Sequence, residues 1–116
     1  MRLIGSKMER DFREELLRSN DALQEPDSKL RQVLAAEGHD TENAYVLHWT
    51  PEQLEDLYTV LIDGSYLVDV EIGKYDNSEP PIIERNELKP YLHGLSRMNQ
   101  VRLAVAQDLA GRKHNK

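Results

Sequence analysis

Asp69, followed eighteen residues later by Glu87-Leu88-Lys89, sketches an acid and a Glu-x-Lys pair. Clustered carboxylates can hold a hard divalent cation, and a lysine can steady the charge that builds on an attacked phosphate. The outline is therefore that of a metal-dependent hydrolase or nuclease using Asp69 and Glu87. Two features weigh against it. The segment from Asn86 reads as the start of a helix instead of a strand, and carboxylates sharing one strand face, as Asp69 and Glu71 do, are ordinarily solvated.

Other chemistries have less support. His39, His48, His93 and His114 show no i,i+3 or i,i+4 pairing, and cysteine is absent, which excludes thiolate metal sites, disulfides and cysteine nucleophiles. His48 beside Trp49 reads as a surface or hydrogen-bonded histidine. Ser65, Ser78 and Ser96 stand outside any Gly-x-Ser-x-Gly elbow. Neither Gly-x-Gly-x-x-Gly nor Gly-x-x-x-x-Gly-Lys occurs, so the sequence supports no nucleotide, metal or other cofactor.

The charge pattern says more than any motif. Residues 37–87 carry thirteen acidic side chains against Lys74 and Arg85 alone, whereas residues 88–116 carry six basic ones against Asp108, and residues 1–36 are balanced. A block this acidic repels polyanions and attracts cationic surfaces. Nucleic acid is thus disfavoured as a partner of the central block. It could be met only through the basic end of the chain, by Arg97, Arg102, Arg112, Lys113 and Lys116, although cations at a helix C-terminus also complement the helix dipole.

The elements that would position these groups follow from periodicity and caps. Ser65 to Ile72 alternates Tyr66, Val68, Val70 and Ile72 against Leu67, Asp69 and Glu71, the pattern of a half-buried antiparallel strand, and Ile82 to Arg85 can return as its hairpin partner. Between them lies a loop over 73–81 that is long for a hairpin, with Pro80-Pro81 marking an edge. Ser6-Lys7-Met8-Glu9 has capping-box spacing and opens a helix to about Gln24, with Met8, Phe12, Leu16 and Leu23 in its stripe. Ser28 caps a second helix from Lys29 to about Glu37, expected to form an antiparallel hairpin with the first. Ala44 to Trp49 reads as a short strand.

Thr50-Pro51-Glu52-Gln53 has the residues of a helix start, and Leu54, Leu57, Tyr58 and Leu61 recur at helical spacing, so a helix is expected from Pro51 to about Ile62, ended by Gly64. Asn86 is expected to cap a short helix through His93. Ser96 opens a last helix carrying Leu95, Met98, Val101, Val105 and Leu109 inward and closing at Gly111.

The expectation is one α+β domain over 1–111, with about five helices and a small antiparallel sheet of about three strands including the 65–72/82–85 hairpin, and a basic flexible tail over 112–116. With 116 residues there is room for one core. No apolar run reaches the ~18 residues of a membrane span and no secretory leader is evident, so a cytoplasmic location is expected. The expected function is non-enzymatic: a bacterial-type acidic accessory or inhibitor protein, similar in kind to an immunity protein, an antitoxin or a DNA mimic, docking on a basic partner protein. The residues expected to carry it are Glu52, Glu55, Asp56, Asp63, Asp69, Glu71, Asp76, Glu79 and Glu84.

Overall fold

A computed structural model of the chain describes residues 1–75 and 79–114. The order of elements is α1 (Lys7–Leu23), α2 (Lys29–Ala36), β1 (Ala44–Pro51), β2 (Glu55–Ile62), β3 (Tyr66–Gly73), β4 (Ile82–Glu87), α3 (Leu88–Tyr91) and α4 (Arg97–His114). The four strands form one antiparallel sheet in the order β1-β2-β3-β4. The architecture is α+β as the pattern predicts, with one more strand and one fewer helix than expected.

That difference has one cause. The segment expected to be a helix from Pro51 to Ile62 is instead the second half of a β-hairpin. Pro51 ends β1, residues 52–54 turn the chain with the Glu52 N–H donating to the Glu55 carbonyl at 2.8 Å, and β2 returns between β1 and β3. Leu57 and Leu61 satisfy a helical stripe and a strand face equally. The rest of the segment, Tyr58, Thr59, Val60 and Ile62, consists of residues that pack well on a pleated surface. Burial on both faces of a central strand outweighs the local capping signal. Leu54, placed inward by the helical reading, is 64% exposed in the turn.

Asp63-Gly64 is accordingly a hairpin turn and not a helix stop. Both residues have positive φ, +54° and +69°, and Ser65 N–H closes the turn onto the Ile62 carbonyl at 2.9 Å, as in a type I′ turn. Gly64 also faces the side chain of Ala110, so a β-carbon here would stand 3.2 Å from that methyl.

The sheet has a helix layer on each side. Along one face Tyr45, Leu47, Leu61 and Leu67 pack against Phe12 and Leu16 of α1 and Val101, Val105, Ala106 and Leu109 of α4. On the other, Val60, Ile62, Val68, Val70 and Ile72 pack against Leu30 and Leu34 of α2, with Leu23 from the end of α1. The first two helices therefore sit on opposite sides of the β1 edge, meeting around Leu23, instead of lying along each other. Their caps are as predicted: Ser6 and Glu9 form a capping box, and Ser28 accepts from Arg31 N–H.

Two boundaries differ at the C-terminal end. β4 extends through Asn86 and Glu87, so α3 is a single turn beginning at Leu88. α4 continues past Gly111 to His114, where Arg112 pairs with Asp108 at 3.1 Å and the Lys113 ammonium donates to the Glu42 carbonyl. Among the described residues no helix is long and apolar enough to cross a membrane.

Candidate interaction surface

The α1/α4 side of the sheet is covered only in part. Helices close it over Tyr45, Leu61 and Leu67, while the half nearer the β1–β2 turn stays open. The strand registers define what that open half displays. His48, Thr59, Asp69 and Glu84 form one cross-strand row, and Thr50, Leu57, Glu71 and Ile82 form the next, with Glu55 beyond them opposite Gly73. Two adjoining depressions run along it, sharing Glu71 and Ile82, and together they make a shallow trough. Two of its apolar components are solvent-exposed, Ile82 at 59% and Leu54 at 64%.

Four of the nine predicted interaction residues, Glu55, Asp69, Glu71 and Glu84, are thereby brought onto one surface, and Glu79 lines its outer end. The others are distributed elsewhere. Glu52 lies in the β1–β2 turn. Asp56 is on the α2 side, where it accepts from the Trp49 indole at 3.2 Å and faces the Lys74 ammonium at 3.7 Å. Asp63 is in the β2–β3 turn at the far end of the sheet, accepting from the Asn43 amide at 3.0 Å. Asp76 lies outside the described residues.

Asp69 and Glu87, the pair required by the hydrolase outline, are not brought together. Asp69 is opposite Glu84 on the trough side, whereas Glu87 is opposite Tyr66, whose row belongs to the α2 side. Both Asp69 oxygens already accept hydrogen bonds, Oδ1 from the Thr59 hydroxyl at 2.9 Å and Oδ2 from the Asn86 amide at 2.7 Å. Among the described residues no three His, Asp or Glu side chains are grouped so as to hold a metal ion.

A polar cluster closes the helical end of the trough. The Arg102 guanidinium, stacked 4.6 Å from the Phe12 ring centroid, donates to Asn99 at 2.9 Å and stands 3.3 Å from His48 Nδ1. A guanidinium can only donate, so Nδ1 is the acceptor, and the Nε2–H of His48 donates to the Tyr91 hydroxyl at 3.0 Å. Burial, reinforced by the positive charge of Arg102, holds the His48 pKa below its ordinary value and keeps the imidazole neutral. Burial pushes the Tyr91 phenol up.

This cluster has no counterpart in the sequence reading because its cause is a β-bulge. The β1–β2 register shifts between Val46 and His48, which places Leu47 and His48 on the same side as Tyr45. Simple alternation would have turned His48 away. Of the basic residues considered for nucleic acid, Arg102, Arg112 and Lys113 are engaged within the chain, and Lys116 lies outside the described residues.

Comparisons with protein-family models, with curated proteins and with solved structures found no match to this chain.

Proposed function

We propose that this protein is a non-enzymatic protein-interaction module of the acidic accessory or inhibitor kind, taking up a basic surface of another protein on the open half of its sheet. One observation carries the reading. Glu55, Asp69, Glu71 and Glu84 share one surface with the exposed Leu54 and Ile82, and among the described residues no lysine or arginine lines the two depressions. Solvation alone would account for carboxylates scattered over the surface. It gives no reason for exposed leucine and isoleucine among them, whereas an interface combines an apolar centre with charges that set partner choice and encounter rate.

The test is capture from the native host with the triple variant Glu55→Lys, Glu71→Lys, Glu84→Lys beside the natural chain. The natural chain should retain a basic protein at about 0.1 M salt and lose much of it near 1 M, where screening acts within a few ångströms. The variant should lose it at both. Retention by the variant equal to that of the natural chain at both salt concentrations would defeat the reading.

A further inference from the structure

The sheet has two edges, β1 and β4, and they are treated differently. Along β1, Val46 N–H donates to the Ser19 hydroxyl at 3.1 Å, and the Asn20 amide donates to the carbonyls of Ala44 at 2.9 Å and Glu42 at 3.0 Å. Side chains of α1 thus take the hydrogen bonds that a further strand would make. Along β4, among the described residues, no side chain or loop hydrogen-bonds to the backbone from the side away from β3, and every residue from Ile82 to Glu87 is exposed or half-exposed. In an antiparallel edge strand every second residue directs its N–H and C=O outward, so β4 presents an unfilled ladder.

We infer that β4 is a docking edge that accepts an extended basic segment of a partner protein as a fifth strand. The inference rests on the docking reading above and specifies its mode. A strand laid along β4 would place alternate side chains beside Ile82, Glu84 and Asn86, on the trough side, where Glu84 stands on β4 itself and Asp69 and Glu71 one strand further, on β3. Lysine or arginine at those alternate positions has the reach and the charge to meet them. The intervening positions would face Ile83, Arg85 and Glu87. Arg85 is already committed, stacked 3.8 Å from the Tyr66 ring centroid, so this side calls for apolar or neutral residues. The partner segment therefore has cationic residues at every second position over about six residues.

The same charges argue against a second copy of this chain as occupant. Pairing β4 with itself about a two-fold axis normal to the sheet sets Glu84 against Glu84 or Arg85 against Arg85 at the centre, and like charges directly opposite are unfavourable. It would also bring two acidic troughs side by side.

The experiment uses the full chain and fluorescent peptides of about eight residues in three designs, the second made in two versions. One alternates lysine and valine, the second is the same peptide N-methylated on every valine or, separately, on every lysine, and the third alternates lysine and proline, keeping the charge but unable to extend a sheet. The lysine–valine peptide should bind in a salt-sensitive manner and slow hydrogen exchange at alternate amides of residues 82–87. N-methylation of one of the two sets should weaken binding about fivefold or more, with the other set having less effect. The lysine–proline peptide should bind more weakly than the unmethylated lysine–valine peptide. Equal binding of the lysine–valine and lysine–proline peptides, with no protection in β4, would overturn strand addition while leaving the acidic docking surface standing. Failure of both to bind would remove the two readings together, and a dimer whose own contacts protect β4 would replace the partner strand with a second copy.

Discussion

Asp69 and Glu84 stand directly opposite each other on neighbouring antiparallel strands, carboxylate beside carboxylate on the open side of the sheet. Such a pair is unfavourable, by about 0.2–1 kcal/mol relative to neutral partners. Thr59 and Asn86 moderate it by donating to Asp69, but nothing among the described residues donates a side-chain hydrogen bond to Glu84. Glu84→Gln should therefore raise the midpoint of urea unfolding slightly while weakening capture of the basic partner. A variant that is less stable than the natural chain would show that Glu84 has a structural task instead.

Asn20 is 8% exposed and holds two backbone carbonyls at the β1 edge. Asn20→Ala leaves both without that donor and should cost about 1–3 kcal/mol in denaturant unfolding. Uncovering the edge should also make the variant form concentration-dependent oligomers in sedimentation to a greater extent than the natural chain.

The Glu9 carboxylate accepts from the N–H groups of Gly5, Ile4 and Ser6 and from the Ser6 hydroxyl, and the Gly5 bond leads in holding its pKa down to about 2. The folded pKa lies below the unfolded one, so the stabilisation is complete above the ordinary carboxylate range and disappears as pH falls toward about 2. Glu9→Gln should lower stability at neutral pH and flatten the loss between about pH 4.5 and 2 in acid unfolding curves.

His48 behaves in the opposite chemical sense but with the same slope. Its folded pKa is depressed, first by burial and then by Arg102, so below the ordinary imidazole value the unfolded chain binds a proton that the folded chain does not. Stability should fall as pH drops from about 6.5 toward the depressed midpoint. Proton NMR should place that midpoint below 6.5. Arg102→Gln should raise it, since a neighbouring cation is removed.

The strands β1, β3 and β4 and the helices α1, α2 and α4 were legible because each carries one unambiguous period or cap. The segment from Pro51 to Ile62 was not, because Leu57, Tyr58 and Leu61 fit both periods and Thr50-Pro51-Glu52-Gln53 has helix-start chemistry. The sequence did contain the deciding signal, Asp63-Gly64 between two apolar runs, which is the residue pair a tight hairpin requires. The clustering of Glu55, Asp69, Glu71 and Glu84 depended on β2 being a strand, since a helix would have carried Glu55 away from β3. The His48–Tyr91–Arg102 cluster depended on a bulge and on a helix returning from the far end of the chain, neither of which local pattern encodes.

The sheet follows chain order, each strand pairing with its immediate successor, so its contacts can form by short loop closures spreading from the Asp63-Gly64 turn. The contact between α1 and α4 is different, since it joins residues from opposite ends of the chain, with Arg13 reaching Asp108 at 2.9 Å. Local pairings are made quickly and long closures slowly. Folding should accordingly run outward from a hairpin nucleus and finish when the two terminal helices meet, so that substitutions between α1 and α4 speed unfolding while leaving the folding rate nearly unchanged.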